Sequence, residues 1–407
     1  MKIKTINLVL RGITLGSKFL LSIYLVKFLS LEANGEYGIF VATISMLTYV
    51  LGLDFYSFNN REILQEKSSE SGMKIKNQFV LFTLVYLIIL PLLYVFGLFD
   101  FIGQKYILLF YLILIFDHIS IELYRLLVVF SKPIQANMNL FLRTGIWILV
   151  LIFAWHNDFE ELKNLKSVFN FWMIGSFLSV IYSIFSLSTT GISIPWREKI
   201  ETKWILAGLK IATPFFIATL SYKTIQFADR YMVEFYLGTK QTGVYYFFSN
   251  ISMLIETFVQ TTVVMIYSPQ LIASLKKDKP FQINIFKTFS KEIVIYSVLA
   301  VVSVCAIIYP LLYIVEKTEL FLSISVFFVM VTTRFIFNIS LIYHFKLYVA
   351  KKDSLIMTST LFAVLVNISL NFILIPFYGL IGGALSTLIS ILVMMGFKLF
   401  YAKKYEH

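Results

Sequence analysis

Charge is scarce in this sequence of 407 residues, because Asp, Glu, Lys and Arg make up only 14% of it. Soluble domains carry about a quarter. The single cysteine, Cys305, excludes disulfides within the chain and a thiolate metal cluster. Four histidines are scattered without zinc-site spacing: His118, His156, His344 and His407. We therefore expect no metal, no other cofactor and no catalytic residue.

Apolar residues are abundant instead. They form 58% of the chain, aromatic residues form 17%, and the mean hydropathy is +0.81. A membrane-spanning helix needs about 20 mainly apolar residues. Twelve runs approach that length, at residues 8–29, 37–58, 78–98, 106–130, 139–155, 168–189, 212–237, 243–267, 289–314, 320–345, 355–376 and 380–400. The sequence predicts an all-α polytopic membrane protein of about 12 transmembrane helices, the first of them retained rather than cleaved as a signal peptide.

The positions of the basic residues predict the orientation of these helices. With the N-terminus in the cytoplasm, most Lys and Arg residues fall in internal segments. The external segments carry only Lys105, Lys163, Lys166, Lys240 and Lys317. The positive-inside rule therefore places both termini in the cytoplasm. Because orientation explains the net charge of +12, we do not expect nucleic acid as a partner.

A short motif recurs after about half the chain length. Gly35-x-Tyr37-x-x-Phe40, followed by the letters ISML, returns as Gly243-x-Tyr245-x-x-Phe248, again followed by ISML. A repeat after six spans predicts two parallel six-helix lobes, residues 1–200 and 201–407. If the first span ends just before position 31, the seventh ends near Leu237. Asp229 and Arg230, which resemble loop residues, then lie inside the membrane.

Apart from basic residues near the cytoplasmic ends of the spans, five lie inside predicted spans: Lys18, Lys27, Lys223, Arg230 and Arg334. Each costs about 2.5 to 3.5 kcal/mol at mid-membrane if it faces lipid. Lys27 lies near the end of its span, where a long side chain reaches the interface. The other four require a cavity or an acidic partner.

Helical spacing groups these cations into stripes. Arg11, Thr14, Lys18 and Ser22 share a face of the first span; Lys223, Gln226 and Arg230 share a face of the seventh, with Tyr222 and Asp229 at its edge; Arg334 and Asn338 are one turn apart on the tenth. We expect Arg11, Lys18, Lys223, Gln226, Arg230 and Arg334 to bind substrate in a central cationic cavity, which implies an anionic cargo. The alternative is structural, with Arg230 paired to Asp229 or Glu234.

Acidic residues within the spans offer two further hypotheses. Asp117, His118, Glu122 and Arg125 cluster on the fourth span, as a structural network or a proton relay. Asp229 is the candidate coupling residue, because a buried carboxylate either pairs with a neighbouring guanidinium or takes up a proton. A permanent Asp229–Arg230 pair needed only for folding is the alternative.

The last two spans contain a recognisable pattern. Residues 367–384 read N-x-x-x-N-x-x-L-I-P-x-Y-G-x-x-G-G-A, in which Pro376 and Gly379 form a turn and Gly382 and Gly383 permit close helix packing. This pattern resembles the late-span signature of polysaccharide transporters in the multidrug/oligosaccharidyl-lipid/polysaccharide (MOP) superfamily. Two earlier runs carry the same resemblance: Pro214 with Asp229-Arg230, Gly238 and Gly243-x-Tyr245, and Arg11-Gly12 with Gly35-x-Tyr37 and Arg61.

The resemblance covers essentially the whole chain, and twelve spans suit Wzx-type O-antigen flippases. It implies transfer of undecaprenyl-pyrophosphate-linked oligosaccharide from the cytoplasmic to the periplasmic leaflet of a bacterial inner membrane, by alternating access. Membrane lipids and polysaccharide polymerase machinery are the partners it implies. The chain departs from the family in that several cavity cations are Lys rather than Arg.

Two other functions stay open at this point. A drug or cation antiporter of the same superfamily needs acidic cavity residues, which the basic excess disfavours. A membrane glycan polymerase or ligase needs acid–base groups, generally on a large external loop. The longest external loop here runs only from about Trp155 to Ser167.

Overall fold

The computed structural model describes residues 2–65, 68–95, 102–275 and 278–404, and within them the chain is helical with no strands. We number the helices in chain order: α1 Lys2–Phe28, α2 Leu31–Gly52, α3 Tyr56–Gln65, α4 Ser68–Val95, α5 Ile107–Val129, α6 Pro133–His156, α7 Leu165–Ser188, α8 Thr202–Leu237, α9 Thr239–Ser274, α10 Lys279–Val315, α11 Thr318–Leu322, α12 Ile324–Val349 and α13 Asp353–Lys404. The predicted all-α polytopic fold is confirmed.

Eleven helices in the described part of the chain are long and apolar enough to cross a membrane, namely all except α3 and α11. The count differs from twelve because α13, with 52 residues, contains both of the last two predicted spans. Its backbone departs from helical geometry at Gly379, where φ is 59° and ψ is −138°. Glycine adopts this conformation without steric cost, and the chain turns back here as predicted, because Asn367 and Thr387, on opposite sides of Gly379, lie 3.3 Å apart. Pro376 stays within the helix.

Helix α8 corrects one predicted boundary and confirms another. Hydropathy places the start of the seventh span at residue 212, whereas the helix begins at Thr202. Lys203 and Lys210 lower the hydropathy of this first part without interrupting its hydrogen-bonded backbone. The helix ends at Leu237, as the internal repeat predicts, and Asp229 and Arg230 therefore lie inside it.

The chain divides into two compact units. Unit 1 comprises Met1–Leu29 and Ile39–Leu220, and unit 2 comprises Ser30–Gly38 and Ser221–His407. The chain passes from one unit to the other three times, between α1 and α2, within α2 and within α8. The division at residues 200/201 inferred from the repeat stays a prediction.

Unit 1 is held together by aromatic packing and by an anchored connection. Phe40 stacks on Phe169 with 3.9 Å between ring centroids. The segment between α7 and α8 is fixed to α4, because the buried Lys76 donates to the carbonyl oxygens of Glu198 at 2.8 Å and Lys199 at 3.2 Å. A side-chain ammonium thus satisfies backbone groups outside the helices.

Unit 2 contains a reciprocal contact between the two copies of the repeated motif. A β-carbon added at Gly35 would lie 2.1 Å from the carbonyl oxygen of Thr239, and one added at Gly243 would lie 1.8 Å from that of Leu31. Asn34 also donates to the Gly243 carbonyl at 2.7 Å. The contact requires glycine because the two helix backbones touch.

Candidate functional site

Lys223 and Arg230 are the basic site residues predicted on α8. Both lie in unit 2, in the part of α8 that packs against α9. Arg230 is 1% exposed, although it carries a guanidinium. Its Nη2 donates to Ser249 Oγ at 3.2 Å, and its charge lies 4.9 Å from the Phe227 ring and 4.8 Å from the Tyr246 ring. Cation–π contacts of this kind compensate part of the desolvation of a buried guanidinium.

Arg230 has no carboxylate partner among the described residues, so neither proposed ion pair is present. Its Nε and Nη1 have no hydrogen-bond partner there. Glu234 instead accepts a hydrogen bond from the Thr239 hydroxyl at 2.8 Å. A guanidinium stays charged in proteins, and Arg230 therefore places inside a spanning helix a positive charge that forms no ion pair within the described part of the chain.

Asp229 bonds to a different set of groups. Its Oδ2 accepts hydrogen bonds from Tyr245 at 2.6 Å and from Thr387 at 3.3 Å, while its buried Oδ1 has no partner in the described chain. Thr387 also accepts from Asn367 at 3.3 Å, and Asn371 donates to Asn367 at 3.2 Å. Asn367 thus joins the two halves of α13 through Thr387, and Thr387 connects them to the Asp229 carboxylate.

The remaining unit 2 residues form two smaller groups. Lys223 Nζ donates to Gln226 Oε1 at 2.9 Å, which confirms that these two residues share a helix face. Arg334 pairs with Glu256 at 2.9 Å, and Tyr222 donates to the same carboxylate at 2.5 Å. The sequence predicts that Arg334 lies in the cavity. It does not identify Glu256 as the partner of Arg334, because the two residues are far apart along the chain.

The unit 1 candidates occupy contrasting environments. Arg11 is partly buried, donates to Asn137 Oδ1 at 2.8 Å and reaches Tyr124 at 3.5 Å. Lys18 is exposed on α1, whereas Thr14 and Ser22 are buried. The predicted single stripe is therefore divided. Threonine and serine can be buried because their hydroxyls donate to carbonyl oxygens of their own helix, Leu10 and Phe19.

The acidic cluster on α5 forms a buried polar network within unit 1. Glu122 pairs with Arg125 and accepts from Gln78 at 2.8 Å. His118 Nε2 lies 3.8 Å from Glu122, and its Nδ1 lies 2.5 Å from the Tyr86 hydroxyl oxygen. Each titratable group contacts a charged or polar neighbour, as the structural-network hypothesis for this cluster predicts.

Asp117 extends this network towards α6 and α7. It lies 3.6 Å from Arg143, accepts from Ser176 at 2.7 Å and accepts from Trp172 at 3.2 Å. Sequence reasoning did not identify Arg143 as the partner of Asp117. The sequence feature that could have identified Arg143 is its position inside an apolar run. The described residues contain no group of three or more His, Cys, Asp or Glu side chains arranged to hold a metal ion.

Comparison with known proteins gives a consistent fold. No protein-family model matches the sequence, and no curated protein matches it. The structure is similar to lipid II flippase MurJ in an inward closed conformation, with a TM-score of 0.75 and 17% identity, covering 97% of this chain and 87% of that one. It is also similar to a multidrug resistance MATE family transporter of the MOP superfamily in inward-facing and outward-facing conformations. The inward-facing form gives a TM-score of 0.73 at 14% identity over 97% of this chain and 96% of that one. The outward-facing form gives 0.64 at 13% identity over 97% and 93%.

These likenesses establish that the chain has the fold of MOP-superfamily transporters. They agree with the superfamily that the sequence motifs suggest. The finer resemblance to Wzx-type flippases, and any cargo, go beyond a likeness in fold.

Proposed function

We propose that this protein is a flippase that moves undecaprenyl-pyrophosphate-linked oligosaccharide from the cytoplasmic to the periplasmic leaflet of a bacterial inner membrane by alternating access. The observation that carries the proposal is Arg230. A permanently charged guanidinium is buried in a spanning helix, with two nitrogens unpartnered and no carboxylate paired to it in the described chain. Charges in spanning helices are expensive and mark substrate or ion pathways.

A pyrophosphate suits this arrangement better than a cation does. Guanidinium binds phosphate oxygens through two parallel hydrogen bonds, and a lysine ammonium binds them as a point charge. In unit 2, Arg230 and Lys223 would supply these contacts, with Gln226 as a hydrogen-bonding group for the glycan. In unit 1, the exposed Lys18 and the partly buried Arg11 would contribute positive charge.

Arg334 has a different part in the proposal. Because it already pairs with Glu256, its charge is compensated in the present conformation. During alternating access we expect it to exchange that carboxylate for a cargo phosphate, whereas Arg230 needs no such exchange. The proposal therefore ranks Arg230 above Arg334 in its contribution to cargo binding.

Export in cells tests these assignments. Lys18→Ala and Arg230→Ala are each expected to abolish surface polysaccharide while the protein remains inserted, and Arg230→Lys should retain part of the export. Lys27→Ala is the matched control, because Lys27 is an exposed lysine at the end of the same helix as Lys18. Normal export by both the Lys18→Ala and Arg230→Ala variants would overturn the pyrophosphate-binding assignment.

A binding measurement separates the flippase from a cation antiporter. The purified protein should bind a short undecaprenyl-pyrophosphate glycolipid, and added inorganic pyrophosphate should weaken that binding. Cationic dyes should compete poorly. Tight dye binding that is insensitive to pyrophosphate would favour the antiporter instead.

A further inference from the structure

A cavity in unit 2 is lined by neither Asp229 nor Arg230. It has a volume of about 510 Å³ and is formed where α9 ends, α10 begins and α12 ends, with Ala402 from the last turn of α13. Pockets of about 300–1,000 Å³ are the size that holds small ligands. All of its lining residues lie outside the predicted spans, so we expect the cavity at the membrane surface rather than among the acyl chains.

The lining of this cavity is amphipathic. Lys287 from α10 and Lys346 from α12 supply two positive charges to the lining. Most of the other lining residues are apolar, including Leu271, Ile283 and Val349. Two ammonium groups on different helices beside an apolar wall complement a ligand that has an anionic head and a hydrocarbon tail.

Both the apolar wall of the cavity and its lysines favour a lipid over a soluble anion as the ligand. Ile283 is 56% exposed, although it is a large apolar side chain at the cavity. Lys346 Nζ lies 5.4 Å from the centre of the Phe286 ring, which holds the ammonium against the apolar wall. A free phosphate would contact the ammonium groups but would leave the apolar wall in water, whereas an acyl chain covers it.

The surrounding charge has the same sign. Several further lysines stand at the same helix ends, with fewer acidic residues among them: Lys279, Lys351, Lys352, Lys403 and Lys404, against Asp278 and Asp353. Clusters of basic residues at the membrane surface attract anionic lipids. By the predicted orientation this is the cytoplasmic leaflet.

We propose that the cavity at Lys287 and Lys346 binds the phosphate of an anionic phospholipid, with the first part of an acyl chain on the wall formed by Leu271, Ile283 and Val349. The site is separate from the cargo residues and does not depend on the proposed function. The lipid joins α9, α10 and α12 at their ends, where direct contacts leave a gap.

Native mass spectrometry of the purified full chain tests this site, with phosphatidylglycerol as the probe and phosphatidylcholine as the neutral comparison. The wild-type protein should retain one phosphatidylglycerol at concentrations where phosphatidylcholine is lost. The double variant Lys287→Gln/Lys346→Gln should bind it at least fivefold more weakly. Lys403→Gln/Lys404→Gln is the matched control, because it removes the same charge from lysines outside the lining, and it should bind as the wild type does.

Filling the cavity gives an independent test that keeps every charge. Ala350 lines the cavity and is exposed, so Ala350→Phe should fold and should weaken phosphatidylglycerol binding by a similar factor. Equal losses in the cavity and control double variants would overturn the proposal, because they would reflect net charge alone. Preference for undecaprenyl phosphate over phosphatidylglycerol, or binding of inorganic phosphate with the same affinity, would overturn it as well.

Discussion

Gly35 and Gly243 occupy equivalent positions in the two repeats. Each packs against the backbone carbonyl of the residue four positions before the other glycine. Gly35 lies against Thr239, and Gly243 lies against Leu31, four residues before Gly35. The contact is the same when the two repeats are exchanged, as a local two-fold relationship requires. The repeated motif therefore has a structural reason, since both glycines are required at one contact.

Gly243→Ala is expected to destabilise the protein. The added β-carbon would lie 1.8 Å from the Leu31 carbonyl oxygen, so the two backbones must separate. Overpacking of this kind lowers the free energy of unfolding by about 1–3 kcal/mol. Thermal unfolding of the purified protein in detergent measures the loss.

Gly16→Ala is the control for that substitution. A β-carbon at Gly16 meets nothing within 4 Å, and alanine is favoured over glycine in a helix by about 1 kcal/mol. This variant should be as stable as the wild type or more so. Equal destabilisation by both substitutions would mean that the close contact at Gly243 does not exist.

The Glu122–Arg125 pair is predicted to stabilise unit 1. Arg125→Leu leaves the Glu122 carboxylate, whose side chain is 1% exposed, without its cation. Breaking a buried pair on one side costs about 3–5 kcal/mol. The double variant Glu122→Gln/Arg125→Leu should recover part of that stability in the same unfolding assay, because no unpaired charge remains.

Lys163→Met supplies the comparison for the buried pair. Lys163 also forms ion pairs, at 3.2 Å to Asp158 and 2.5 Å to Glu160, but those carboxylates are exposed. Exposed pairs contribute little, so no measurable change in unfolding is expected. A double variant of the buried pair that is less stable than Arg125→Leu would show that the pair is not the source of the effect.

The orientation in the membrane is open to cysteine labelling. In a Cys305→Ser background, Glu161→Cys lies on an exposed loop and is predicted to react with an impermeant reagent in intact cells. Ser354→Cys is equally exposed at the start of α13 and should react only after the cells are opened. The reverse pattern would contradict the cytoplasmic placement of both termini.

Asp229 is predicted to couple transport to protons. Its carboxylate bonds to Tyr245 and Thr387 and not to the Arg230 guanidinium, so a bound cargo at Arg230 changes its electrostatic surroundings without breaking an ion pair. Asp229→Asn should still move cargo down its own gradient in proteoliposomes but should lose the response to an imposed pH gradient. Tyr245→Phe, which removes one hydrogen bond and no charge, should keep that response.

A response to pH by Asp229→Asn equal to that of the wild type would remove the coupling role. Replacing Na⁺ with K⁺ in the same vesicles separates protons from sodium as the coupling ion. Dependence on Na⁺ with no dependence on pH would contradict the proton assignment.

Hydropathy and the repeat together predicted the fold closely. The end of α8 at Leu237 agrees with the repeat as well as with the apolar run, because equivalent helices end at equivalent positions. The start of the same helix was missed, since Lys203 and Lys210 reduce hydropathy without disturbing helix formation. A hydropathy window measures the preference for lipid, whereas a helix continues into water for as long as its backbone bonds are made.

The partners of the buried charges were less predictable. Helical spacing identified Lys223 with Gln226, which lie one turn apart. It could not identify Glu256 as the partner of Arg334 or Arg143 as that of Asp117, because these pairs join different helices. Spacing along one helix determines neighbours on that helix only, and the partners from other helices depend on packing.

Transport of the lipid-linked cargo by the purified protein tests the central claim most directly. Vesicles containing the protein and undecaprenyl-pyrophosphate-linked oligosaccharide are treated with an impermeant enzyme that modifies the glycan. The account predicts that wild-type and Lys27→Ala proteins expose the internal pool of glycan to the enzyme, whereas Arg230→Ala, folded as judged by its unfolding temperature, leaves about half of the glycan protected. Protection in wild-type vesicles equal to that in protein-free vesicles would contradict the account.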